Sequence, residues 1–218
     1  MYKACVFDLD GTLTDTLSSI SYFANRALEK YGLKAIEKEK YKIMVGNGAK
    51  ILVKRMMAEN GNNDEELYLK VLEEYNGTYD NDFTYLTRVY DGIEELLEFL
   101  KEENFKIGVV SNKPHSTTVQ IVNHFFENGV FDRVYGQREN VPIKPDPTTV
   151  FQVLDEFGVA AEECIYAGDT GTDMKTGKNA GAFTVGVTWG FRDAKELKEN
   201  GADLIINHPR ELAEFLKK

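Results

Sequence analysis

The sequence predicts an α/β fold: a doubly wound, mostly parallel sheet with a block of α-helices inserted into it. Three observations predict it. Short apolar runs with β-branched residues alternate with segments of helical period along most of the chain. The stretch from 16 to 86 breaks this alternation and carries helical patterning with no convincing β run. Acidic and polar residues follow directly on the apolar runs, where an open parallel sheet presents its ligand sites. The expected division is a sheet domain of residues 1–15 and 87–218 and a helical domain of residues 16–86.

In chain order, Ala4–Phe7 reads as a short buried strand that runs straight into Asp8-Leu9-Asp10-Gly11-Thr12. Four helices follow, over Leu17–Tyr31, Lys38–Met44, Ala49–Glu59 and Asp64–Asn81. The chain then returns before Val89-Tyr90-Asp91-Gly92, so hinges are expected near Asp15–Thr16 and Leu86–Tyr90. Gly92–Glu102 puts Ile93, Leu96, Leu97 and Leu100 on one helical face. Strands are expected at Lys106–Ser111, Arg133–Gly136, Glu163–Gly168, Phe183–Val187 and Asp203–Ile206. Between them Thr148–Phe157 forms a helix through Val150, Val153 and Leu154, and Arg210–Leu216 closes the chain as another. Parallel strands need such crossovers, which cover both faces of the sheet.

Composition narrows the class of partner. The formal net charge of −10 argues against nucleic acid or an anionic membrane, since both reward positive surface. No apolar run is long enough to span a bilayer, and Asp8 and Asp10 interrupt the place where a signal peptide would be apolar. Cys5 and Cys164 both border strand-like runs and read as buried free thiols, which suits a reducing, cytoplasmic setting. Nothing in the sequence separates monomer from dimer.

The chemistry-bearing residues converge on one sheet edge. Asp8 and Asp10 follow the first strand, Ser111-Asn112-Lys113-Pro114 the next, Lys144-Pro145-Asp146-Pro147 lies beyond the third, and Asp169-Thr170-Gly171-Thr172-Asp173 follows the fourth. FDLDGT, SNK, KPDP and GDTGTD together resemble the four motifs of the haloacid dehalogenase-like hydrolase superfamily. The resemblance spans the whole chain, because the helical block lies where that superfamily often carries a cap domain. It implies a Rossmann-like core, an α-helical cap and a Mg²⁺ cofactor. Physical chemistry fits: crowded carboxylates need a divalent neutraliser, and oxygen-only ligands suit Mg²⁺.

By this resemblance Asp8 is the nucleophile that takes up a phosphoryl group, and Asp10 first donates a proton to the leaving oxygen and then takes one from water. Asp8, the main-chain carbonyl of Asp10, and Asp169 are implied metal ligands. Ser111 and the amides near Asn112 would hold phosphoryl oxygens, and Lys144 would neutralise phosphoryl charge and orient Asp8. Thr12 would tie down the loop. Asp173 would act through water or by supporting Lys144, and its position also suits a helix N-terminus. Asp10 separates this chain from dehalogenases, whose leaving halide needs no proton.

The run VGNGAKILVKRMM, from Val45 to Met57, is similar to the cap of phosphoglycolate phosphatases, and VTWGFR at Val187–Arg192 resembles sequences common in that group. Amides at Gly46, Asn47 and Gly48 would suit a small anionic substrate, or would mark an ordinary helix entry. From Lys34 to Arg55 there are seven Lys and Arg against two Glu, which could attract an anion or form plain surface. His115 is expected at the surface or at a helix cap, and Trp189 and Phe191 in packing. A pyrophosphatase, a broad sugar-phosphate phosphatase, a phosphonate-cleaving or phosphoglucomutase-like enzyme, and a phosphate-accepting signalling module remain alternatives.

Overall fold

The computed structural model describes residues 1–217. Its elements run β1 (Ala4–Phe7), β2 (Thr14–Asp15), α1 (Leu17–Lys30), α2 (Lys38–Met44), α3 (Ala49–Glu59), α4 (Glu65–Asn81) and β3 (Arg88–Val89). There follow α5 (Ile93–Glu102), β4 (Lys106–Pro114), α6 (His115–Phe125), β5 (Arg133–Gln137) and α7 (Thr148–Phe157). The chain ends with β6 (Cys164–Gly168), α8 (Gly171–Ala180), β7 (Phe183–Val187), α9 (Ala194–Glu199), β8 (Leu204–Ile206) and α10 (Pro209–Leu216).

Six strands form one parallel sheet in the order β5-β4-β1-β6-β7-β8. The chain builds outward from β1 to one edge, then returns to build the other edge. This reversal opens a crevice at the carboxyl end of β1. Strand β1 is buried on both faces, which explains its unbroken apolar run. Cys5 and Phe7 face a cluster with Ile107, Ile165, Leu97 and Ile121, under α5 and α6. Ala4 and Val6 face a second cluster with Tyr166, Val153 and Leu154, under α7. The alternation follows the two-residue side-chain period of a strand. Both thiols are free and buried, as expected.

The segment from α1 to α4 has its own apolar cluster, built on Phe23, Leu28, Tyr41, Met56, Val71 and Tyr79. Phe191, from the segment after β7, completes it. An antiparallel ribbon pairs Thr14 with Val89 and Asp15 with Arg88 where the chain leaves the sheet and returns. Two-residue strands carry no periodic signal, so the ribbon is invisible in the sequence pattern. Strand β4 also runs past the expected Ser111: its register shifts between Val110 and Pro114, and Pro114 pairs with Gln137. Ser111, Asn112 and Lys113 therefore stand on an extended, bent strand rather than on a loop. Helices α6, α8 and α9 are additions to the elements that the sequence pattern predicts.

Candidate active site

The backbone beyond β1 is wound tightly. Asp8 N–H still donates to Ala167 O at 2.9 Å, so Asp8 stands at the last sheet position. Leu9 O then accepts from the amides of Leu13 and Thr14, each at 3.0 Å, which turns the chain back on itself. Gly11 sits at φ +86°, and a Cβ there would lie 2.3 Å from Asp169 Oδ2. Gly190 approaches from the other side: its Cβ would lie 2.4 Å from Asp169 Cβ and 2.3 Å from Gly11 O. Glycine at both positions lets Asp169 sit directly under the Asp8 loop.

Asp8, Asp169 and Asp173 are buried, and each offers a carboxylate oxygen within 4.8 Å of the other two. The Lys144 ammonium reaches Asp8 Oδ1 at 2.8 Å and Asp173 Oδ1 at 2.7 Å. Asp173 also closes a capping box with Thr170 at the start of α8, so one side chain both pairs with Lys144 and caps the helix. Asp169 accepts from Phe191 N–H at 2.8 Å and from the Thr12 hydroxyl at 3.2 Å. Thr12 thus ties the loop to Asp169.

One ammonium against three buried carboxylates leaves an excess of negative charge. Burial pushes the Asp8 carboxyl up to about 7; Lys144 pulls it down, while Asp173 and Asp10 push it further up. Burial, then Asp173 and Asp8, also raise Asp169 well above the usual carboxylate range. Burial disfavours the charged Lys144, yet Asp173 and Asp8 hold it well above its ordinary value. A divalent cation with oxygen ligands would relieve this imbalance, and Asp8 and Asp169 have the donors to hold it.

A cleft opens at Asp8 and Asp10, lined also by Ser111, Lys113, Gly46, Gly48 and Tyr79. Ser111 Oγ accepts from Lys113 N–H at 3.2 Å, which leaves its proton free for a ligand. The Asn112 side chain is a cross-link rather than a free group. It accepts from Lys144 N–H at 2.8 Å and donates to Gly46 O at 3.0 Å. Gly48 is at φ +81°, with Asn112 O 3.1 Å from where its Cβ would stand. The Asn47 side chain turns away from the cleft to Arg55, 2.9 Å, and Thr172, 3.4 Å. Arg192 donates to Val45 O at 3.1 Å. The Gly46–Gly48 turn is thereby anchored to three sheet-side residues.

Other expected features lie apart from the chemistry. The lysines of the basic stretch do not line the cleft; Lys40 pairs with Glu59 and Lys42 with Glu39. His115 accepts from Gly136 N–H at 3.2 Å and stacks on Tyr135. Trp189 donates to Thr12 O at 3.0 Å and so braces the Asp8 loop. Sequence reasoning gave no role to Lys113, whose ammonium lies 2.9 Å and 3.1 Å from the two Asp10 oxygens. Its place in SNK was the available signal.

Residues 5–187 match the model of the haloacid dehalogenase-like hydrolase family. Phosphoglycolate phosphatase from Haemophilus influenzae is 29% identical over 220 residues, covering 99% of this chain and 98% of that protein. A crystal structure of a Lactobacillus delbrueckii subsp. bulgaricus protein provisionally named phosphoglycolate phosphatase superposes with a TM-score of 0.93 at 28% identity, over 99% of this chain and 98% of that one. A β-phosphoglucomutase from Clostridium difficile superposes at 0.81 with 25% identity, over 100% and 96%.

Proposed function

The chain belongs to the haloacid dehalogenase-like hydrolase family, and from that premise we propose that it is a Mg²⁺-dependent phosphoric monoester hydrolase of the phosphoglycolate phosphatase type. The observation that carries this reading is the Asp8 carboxylate, held by Lys144 at 2.8 Å at the floor of a cleft that Asp10 also lines.

Asp8 attacks phosphorus as the bond to the leaving oxygen breaks, and Asp10 delivers its proton to that oxygen. Water then attacks the aspartyl-phosphate, and Asp10 takes the proton back as phosphate leaves and Asp8 is restored. Lys144 fixes the attacking carboxylate and offsets phosphoryl charge. The Ser111 hydroxyl and the amides near Asn112 hold phosphoryl oxygens. Asp8, the Asp10 carbonyl and Asp169 would hold the cation, whose charge would screen the repulsion between carboxylate and phosphate. Asp173 holds Lys144 in place.

Residues 16–86 act as a cap over a core of residues 1–15 and 87–217, with hinges near Asp15–Thr16 and Leu86–Tyr90, beside the ribbon that pairs Thr14 with Val89 and Asp15 with Arg88. Closure excludes bulk water from Asp8. A small substrate with a second anionic group would meet the Gly46–Gly48 turn on the wall of the cleft. The names of the relatives support phosphoglycolate.

Phosphate release with Mg²⁺ across phosphoglycolate, pyrophosphate, sugar phosphates and nucleotides tests the reading. Preference for phosphoglycolate supports it in full. Activity led by pyrophosphate or sugar phosphates keeps the catalytic assignment and rejects the substrate. Stable labelling of Asp8 without turnover rejects the enzyme in favour of a signalling module.

A further inference from the structure

We infer that Lys113 is a positioning residue that fixes the Asp10 carboxylate and couples it to helix α4 through Tyr79. The inference rests on the phosphatase reading and adds to it a residue that the catalytic set does not contain.

Three observations carry it. The Lys113 ammonium lies 2.9 Å and 3.1 Å from the two oxygens of Asp10, so it holds that side chain at both oxygens. The same ammonium stands 4.5 Å from the centroid of the Tyr79 ring, which belongs to α4. The pair is sheltered: the side chains of Lys113 and Asp10 are 8% and 12% exposed. A lysine placed between a carboxylate and an aromatic face in a sheltered site is attracted by both.

The backbone explains how it arrives there. The bent extension of β4 carries Lys113 past the sheet edge to stand across from Asp10. Next to Tyr79 on α4, Asp80 accepts from the Thr117 hydroxyl of α6 at 2.6 Å. The end of α4 therefore touches the sheet side at two consecutive residues, and one of them reaches Asp10 through a single ammonium. If α4 lifts away, Lys113 loses its ring, gains water and loosens its hold on Asp10. Proton transfer is thus tied to the position of α4.

The experiment is steady-state kinetics on phosphoglycolate and p-nitrophenyl phosphate for wild type, K113M, K113R, Y79L and K113M/Y79L, each checked for folding by circular dichroism. Misplacement of the proton-transferring Asp10 predicts kcat in K113M down by about 10- to 100-fold, with KM within about threefold. K113R should recover part of the loss. Y79L should lower kcat by a smaller factor, and K113M/Y79L should match K113M alone, because the ring acts through the lysine. Unchanged kcat in K113M, a loss confined to KM, or additive losses in the double variant would overturn the inference. Should K113M fail to fold, Y79L decides: an unchanged kcat overturns the inference. A wild type inactive on both substrates rejects the phosphatase reading itself, and the inference with it.

Discussion

Replacing Lys144 by methionine tests the electrostatics of the site without altering Asp8. The Lys144 side chain is 3% exposed and reaches Asp8 at 2.8 Å and Asp173 at 2.7 Å. Methionine keeps most of the stem and removes the charge, leaving two buried carboxylates without their cation. Removing one partner of a buried ion pair costs about 3–5 kcal/mol. For a chain of this size each kcal/mol moves the melting temperature by roughly 2–4 °C, so a fall of about 6–20 °C is expected. Thermal melts followed by circular dichroism, at neutral pH with chelator present, measure it. K144M/D173N should recover part of the loss, because it removes one of the two orphaned carboxylates. Mg²⁺ should also recover part. Turnover should fall by about 100-fold or more, since a preorganised cation is lost from the reacting centre. A K144M protein that melts within about 2 °C of wild type would refute the reasoning.

Two further predictions concern Asp8 and Asp169. Asp8 is raised from an ordinary 3.8 to about 7, so the folded state binds its proton more tightly than the unfolded chain does. Such a group favours folding most below the lower value, and that advantage is lost as pH rises through the higher one, by about 4 kcal/mol for a shift of this size. Metal-free wild type should therefore lose stability relative to metal-free D8N between about pH 4 and pH 7, as read by urea midpoints, and a difference that stays flat with pH would contradict this. Gly190→Ala should destabilise by about 1–3 kcal/mol or more and displace Asp169, because its Cβ would meet Gly11 O and Asp169. A melt and Mg²⁺ affinity both at wild-type values would show that the loop yields freely.

The parts of the fold that could be read early are those with strong local signals. ACVF, buried on both faces, and the acidic turn after it identify β1 because a central parallel strand must be apolar throughout. The face of α5 is equally plain in Ile93, Leu96, Leu97 and Leu100. Helix α8 was less legible because GTDMKTGKNA carries little apolar pattern; its start is fixed by the Thr170–Asp173 capping box instead. Helix α6 is rich in threonine and valine, which weaken a helical reading. In the site, the motif residues come together because each follows a strand of one sheet. The Lys113–Tyr79 contact joins positions far apart in sequence and depends on a bend in β4, so no local pattern announces it. Phe191 likewise crosses from the segment after β7 into the apolar cluster of α1–α4.

Trapping the covalent intermediate tests the central claim most directly. Wild-type protein is mixed with Mg²⁺ and phosphoglycolate, quenched with borohydride within one turnover, digested and read by mass spectrometry. Asp8 as nucleophile predicts reduction at residue 8, dependent on substrate, with neither label nor phosphate release in Asp8→Asn. Phosphate release with no mark on Asp8, or full turnover in a folded Asp8→Asn protein, would contradict it.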